Sequence, residues 1–215
     1  MPNLGLWQLD RLEWKNELLN NISSRQVAEN ITFPYNESLE DFEYRNTSVE
    51  GKFLDNTQTF FFRPNLSGQS GYNVISAFKT IDDSVIYVDI GWIPFQQKEN
   101  IDFLDIDYNK NFSLKGILIS SKERNMFSPE NDYIENIWYT LSSTEMNKFY
   151  KLNGSFFILK IIDQNYFEQT LIEFNPTQIP NNHLQYAGTW FLLFIVVGIL
   201  YFYQVYQIIR VKWNT

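Results

Sequence analysis

The stretch from His183 to Tyr203, HLQYAGTWFLLFIVVGILYFY, contains no Asp, Glu, Lys or Arg, and the uncharged run continues to Ile209. At about 1.5 Å of rise per helical residue, such a run covers the roughly 30 Å hydrocarbon core of a bilayer. Tyr186 and Trp190 lie near one end and Tyr206 and Trp213 near the other, as aromatic side chains do at the two water interfaces. The competing explanation is a helix buried in a soluble core. Soluble helices of this length carry a polar stripe, and here only Gln204 and Gln207 interrupt the later half. Residues 183–209 therefore read as a transmembrane helix. Arg210 and Lys212 follow directly, so the positive-inside rule assigns the tail 210–215 to the cytoplasm or matrix. The chain before the span is then expected on the periplasmic or intermembrane side.

That preceding chain is acidic. The formal net charge over 215 residues is −8, and no Asp or Glu occurs after Glu173, so the negative charge lies ahead of the span. An acidic chain does not displace counterions from a phosphate backbone, which excludes nucleic acid as a partner. Hydrophobic residues at 44% and aromatics at 18% suffice for a packed core, which excludes a disordered tail. Cysteine is absent, and with it disulfides, a thiolate nucleophile and Cys-based metal sites. His183 is the only histidine, so a metal site built on it would need other ligand types. The start, Met1-Pro2-Asn3-Leu4-Gly5, is not a signal peptide, although a domain on the outer side requires an export signal or a first span. A hydrophobic segment encoded upstream of Met1 is the expectation.

Ahead of the span the pattern changes along the chain. Residues 1–20 read as a juxtamembrane amphipathic helix, because Leu4, Trp7, Arg11, Trp14 and Leu18 recur at three- and four-residue spacing. Residues 21–180 read as the extramembrane domain. Within it, Asn21 to Ser38 is expected to be a polar connection broken at Pro34. Alternation predicts strands over Phe42–Arg45 and Ser48–Phe53 with a bend at Gly51, over Thr59–Arg63, and over Tyr72–Ile75 and Val85–Val88 about a turn at Asp82-Asp83. Gly91-Trp92-Ile93-Pro94 ends the last of these. Ser113–Leu118, centred on Gly116, echoes the strand around Gly51, Asn136–Tyr150 is expected to be helical, and Phe156–Ile162 is a further strand. Pro176 and Pro180 mark a linker before the membrane. The fold class is α+β: a mainly antiparallel curved sheet or small barrel, with an N-terminal helix and one C-terminal transmembrane helix.

Two constellations carry candidate function. Trp7, Gln8, Arg11 and Trp14 form an aromatic and basic helix face suited to a partner or to the bilayer surface. At the other end His183, Ala187 and Trp190 fall on one face of a helix starting near His183, with Tyr186 beside them. An imidazole there can ligate a haem iron edge-on, but chemistry alone favours an interfacial histidine bonded to a backbone carbonyl or water. The sequon-like triplets at Asn21, Asn30, Asn36, Asn46, Asn65, Asn111 and Asn153 are what an Asn- and Ser-rich chain produces by chance. Asp82, Asp83, Asp102 and Asp105 are scattered in expected turns, and no histidine base neighbours a serine, so no catalytic set emerges.

Taken in order, Gly5-x-Trp7-Gln8-x-x-Arg11-x-x-Trp14-Lys15, Glu43-Tyr44-Arg45, Gly71-Tyr72-x-Val74-Ile75, Gly91-Trp92-Ile93-Pro94 and Asn182-His183-Leu184-Gln185-Tyr186-Ala187-x-Thr189-Trp190 resemble the surfeit locus protein 1 family. The resemblance spans nearly the whole chain. It implies a non-enzymatic assembly factor for haem–copper cytochrome c oxidase in a bacterial inner membrane, or alternatively the mitochondrial one. It implies haem a as a transient cofactor with His183 as its iron contact beside Tyr186 and Trp190, and as partners oxidase subunit I and the haem a synthesis machinery. It also implies a first span ending just before Gly5. Two positions depart from the family pattern: Ile90 stands where an arginine is usual, and Ala77 where a proline is usual.

Overall fold

The computed structural model describes residues 2–33, 42–104, 106–163, 166–172 and 181–213. Pro34, Asp105, Pro176 and Pro180, and the side chains of Asp102, Lys212 and Trp213, lie outside the described residues. In chain order the elements are α1 (Pro2–Val27), β1 (Ile31–Thr32), β2 (Asn46–Phe53), β3 (Thr59–Phe62), β4 (Gly71–Thr80), β5 (Val85–Pro94), a 3₁₀ stretch (Phe95–Leu104), β6 (Phe112–Ser120), β7 (Ile137–Trp138), α2 (Ser143–Tyr150), β8 (Gly154–Ile161) and α3 (His183–Trp213). They fall into two compact units, Met1–Ser23 with Asn175–Thr215, and Ser24–Phe174.

The second unit is a closed barrel. Its strands pair in the order β2-β6-β8-β5-β4, and β4 returns to β2, closing a five-stranded ring to which β1, β3 and β7 are added. Four of the five ring pairings are antiparallel; β5 and β8 run parallel. A parallel pair needs a long crossover, and the chain supplies one in everything between Pro94 and Gly154. Closure depends on Gly51. It pairs with Phe112 of β6 and with Thr80 of β4, at the point where β2 passes from one neighbour to the other. A Cβ there would stand 2.0 Å from the Lys79 carbonyl oxygen, so only glycine lets the two backbones meet. Gly116, its echo in sequence, sits on the neighbouring strand opposite Thr47.

Alternation sorts the side chains by face. Val49, Phe53, Val74, Phe78, Val88, Leu114, Leu118 and Leu159 fill the barrel, with the Phe53 ring edge-on to Phe78, Phe112 and Phe167 at 5.0–5.7 Å. Ile75, Ala77, Tyr87 and Ile158 point the other way, into a second cluster with Trp138 and with Met146 of α2. Being covered on both faces explains why β4 and β5 are buried almost without interruption. Ile90 is the extra residue of a β-bulge between the Val74–Gly91 and Ile75–Asp89 pairs. It joins the barrel interior, fully buried, where an arginine could not be hydrated.

Three expectations are corrected. α1 continues to Val27 instead of giving way to a polar connection at Asn21. Tertiary bonds override the weak helix propensity of its last turns: Arg25 Nη1 donates to Glu43 O (3.1 Å) and Asn46 Nδ2 to Gln26 O (2.5 Å). Phe42–Arg45 is not a strand; Tyr44 adopts φ +65°, and Arg45 N closes a turn onto Phe42 O (3.1 Å). Asn136–Tyr150 is not one helix. Ile137–Trp138 pair with Phe60–Phe61 as β7, and the helix begins only after Ser142, whose hydroxyl caps Glu145 N (3.2 Å). The turn at Asp82-Asp83 is present, with Asp83 at φ +62° and its carboxylate 2.7 Å from Lys79 Nζ.

The second cluster holds two phenols in neutral form. Tyr87 donates to Asn147 Oδ1 (2.9 Å), and burial, with Tyr150 close by, pushes its pKa well up; burial also raises that of Tyr150. The unfolded chain would ionise them near the ordinary value of about 10, whereas the folded chain keeps the protons. Their contribution to stability is therefore complete below about pH 10 and is lost as pH climbs towards the folded-state values. Denaturant titrations of the detergent-solubilised chain should show stability falling above pH 10, with a shallower fall in Tyr87→Phe. An equal slope in that variant would rule out Tyr87 as the source.

Candidate functional site

The first unit brings the two ends of the chain together. α3 starts at His183, with Gln185 N and Tyr186 N both bonded to the Asn182 carbonyl (3.1 and 3.2 Å). From His183 to Arg210 the helix is long and apolar enough to cross a membrane, and its apolar side chains from Leu192 onward are mostly exposed. α1 lies along its beginning. Asn181 Nδ2 donates to Asn16 Oδ1 (3.0 Å), His183 Nδ1 stands 2.7 Å from Gln8 Oε1, and the Phe191 ring is seated where a Cβ on Gly5 would be, at 2.7 Å. Residues falling along α1 (16, 8, 5) meet residues rising from just before α3 into it (181, 183, 191), so the helices run antiparallel. Gly5 and Ala187 are buried, as small residues are where helices approach closely.

His183 and Trp190 are half-buried and Ala187 is buried, while Leu184, Gln185, Tyr186, Gly188 and Thr189 are exposed. The face expected to carry the histidine is thus the one turned away from solvent. Tyr186 stands outside it. On α1 Gly5 and Ile22 are buried and Gln8, Leu12, Lys15, Leu18 and Leu19 are among the half-buried positions; of the face expected from spacing, Leu4, Trp7, Arg11 and Trp14 are exposed and Leu18 is partly covered. Arg11 lies between the two indoles, its guanidinium carbon 5.6 Å from the Trp7 ring centre and 5.5 Å from that of Trp14. Gln8 therefore separates from the other three residues expected to bind a partner and joins His183. Sequence reasoning missed that link, although its signal was present: Gly5 and Gln8, three residues apart, share a face distinct from the tryptophans.

Among the described residues no group of three His, Cys, Asp or Glu side chains could hold a bare metal ion. A lone imidazole at the entrance of an apolar helix fits a metal that arrives with its own equatorial ligands, as iron does in a porphyrin. In the barrel unit, a cleft of about 580 Å³ is lined by Tyr44, Arg63, Glu123 and Tyr139 among others. Its Glu123 carboxylate accepts from Ser142 (3.0 Å) and Thr144 (2.8 Å), fastening the start of α2.

Fold and site define an α+β protein in which a closed, partly mixed barrel shares its chain with an apolar helix of membrane-spanning length. The SURF1 family model matches residues 1–195. A SURF1-like protein of Rickettsia prowazekii is 31% identical over 207 residues, covering 94% of this chain and 83% of the relative. Surfeit locus protein 1 of Homo sapiens is 27% identical over 223 residues, covering 93% and 72%. A SURF1-like protein of Dictyostelium discoideum is 25% identical over 249 residues, covering 93% and 90%. The chain belongs to the SURF1 family, known in general as cytochrome c oxidase assembly factors.

Proposed function

We propose that this protein assists the delivery or insertion of haem a into subunit I of a haem–copper cytochrome c oxidase. It would act from the inner membrane, with the barrel domain on the periplasmic or intermembrane side and the haem a synthesis machinery upstream of it. The observation that carries the reading is His183: half-buried, at the first turn of an apolar helix, and held by a side chain of a second helix. When bound, haem a would supply an iron able to take an imidazole as ligand. His183 would provide that ligand, Trp190 an aromatic wall on the same face, and Tyr186 an amphipathic contact at the interface. The exposed Trp7–Arg11–Trp14 stack supports a surface for the oxidase subunit, because two large indoles and a guanidinium are the side chains that most often anchor protein interfaces.

Full-length protein produced together with haem a synthesis should purify with a Soret band that His183→Ala abolishes. A spectrum unchanged by that substitution would exclude His183 as ligand. A protein that never carries haem, while Trp7→Ala and Trp14→Ala still lower oxidase assembly, would leave a scaffold that binds subunits without touching haem.

A further inference from the structure

We infer that Gln8 is a positioning residue for His183: its carboxamide oxygen holds the imidazole as the Nδ1–H tautomer and leaves Nε2 as the ligating atom. A carboxamide oxygen carries only lone pairs, so its 2.7 Å approach to Nδ1 is a hydrogen bond only if that nitrogen bears the proton. A neutral ring has one N–H, and placing it on Nδ1 turns Nε2 into an unprotonated donor of electrons. Among the described residues Nε2 has no hydrogen-bond partner to compete for that lone pair. The nearby backbone does not interfere either, because the Asn182 carbonyl is taken by Gln185 N and Tyr186 N. A free histidine in water prefers the opposite tautomer, so the contact does chemical work beyond joining two helices.

Such a partner on the far nitrogen fixes the ring's orientation and raises its strength as a ligand, as in metal sites generally. Gln8 is suited to the task because its side chain ends in an acceptor oxygen and it sits on the covered face of α1, one turn from the buried Gly5. The Asn16–Asn181 bond ties α1 to the residues just ahead of α3 without a ring and so provides an internal control for simple fastening. The tautomer assignment stands on geometry alone; its consequence for haem rests on the function proposed above.

His183 is the only histidine, so ¹⁵N-histidine labelling of the full-length protein in nanodiscs gives one imidazole to observe. At mildly alkaline pH, Nδ1 should appear as the proton-bearing, pyrrole-type nitrogen and Nε2 as the pyridine-type one. Gln8→Leu should transfer the proton to Nε2 and weaken ferric haem a binding about 10–100-fold. Gln8→Glu, which keeps an acceptor oxygen, should retain both the pattern and the affinity, and Asn16→Leu should change neither. An Nε2–H ring in the unaltered protein, as a reversed amide would produce, overturns the inference, and so does a pattern indifferent to Gln8→Leu. An Nδ1–H ring that depends on Gln8, in a protein lacking any His183-dependent haem spectrum, upholds the positioning role and refutes the haem reading instead.

Discussion

Lys160→Met should lower the stability of the barrel by about 3–5 kcal/mol, the usual consequence of stripping one partner from a buried ion pair. Asp89 and Lys160 are paired residues of β5 and β8, both buried, with Nζ 3.2 Å from Oδ2. They point out of the barrel, on the face of Tyr87 and Ile158, where water does not reach. The carboxylate is fully engaged: Asn73 Nδ2 bonds both oxygens (2.9 and 2.8 Å), and Gly91 N donates to Oδ1 (3.1 Å) across the bulge. Losing the ammonium leaves a negative charge in the interior, opposed only by neutral donors. For a domain of this size such a loss shifts thermal unfolding by roughly 10 °C. Removing both charges together, as Asp89→Asn with Lys160→Met, should recover most of it, since an Asn oxygen still accepts from Gly91. Thermal and urea unfolding of the three proteins measures the pair; a single variant within about 1 kcal/mol of the parent would show that water enters the site.

That network leaves a mark in the sequence. Val85-Ile86-Tyr87-Val88-Asp89-Ile90 and Phe156-Phe157-Ile158-Leu159-Lys160-Ile161 each set one charge, of opposite sign, inside an apolar strand. Charges so placed are rarely tolerated unless paired, so the two strands name each other as neighbours. What hid it was the parallel β5–β8 pairing, which no hairpin turn announces. The strands bounded by local signals, the turn at Asp82-Asp83 and the glycine bend at Gly51, were recoverable because those signals act over a few residues. The run Asn136–Tyr150 was not, because its first residues are claimed by a distant strand through Phe60 and Phe61. At the functional end the helix entrance and its histidine could be read directly. The aromatic spacing of α1 marks a face for a partner or the bilayer surface, and Leu4, Trp7, Arg11 and Trp14 are indeed exposed; what the spacing does not reveal is that the Gly5–Gln8 face is the covered one. Periodicity marks a stripe on a helix; it does not say which stripe is covered.

Gly51→Ala should open the barrel. The added methyl would stand 2.0 Å from Lys79 O and 2.8 Å from both the Lys79 carbonyl carbon and Thr80 Cα, all backbone atoms held in the β2–β4 pairing. A flexible side chain could swing away from such a contact, but a carbonyl in a strand ladder cannot move without breaking its own bonds. The expected cost is about 3 kcal/mol, the upper end of the range for overpacking, and its location is specific. Pairing of Lys52–Phe53 with Phe78–Lys79 is lost first, while β2 stays on β6 through Asn46 to Glu50. Amide hydrogen exchange should therefore accelerate at that seam and leave the β5–β8 seam protected. Gly68→Ala supplies the contrast. Its φ is +82° with open space around it, so only the local backbone preference is offended, at about 1 kcal/mol and with no change in exchange at the β2–β4 seam. Equal losses in the two variants would mean that the seam is not closed in solution; a loss confined to Gly51→Ala makes this glycine the residue on which the ring depends.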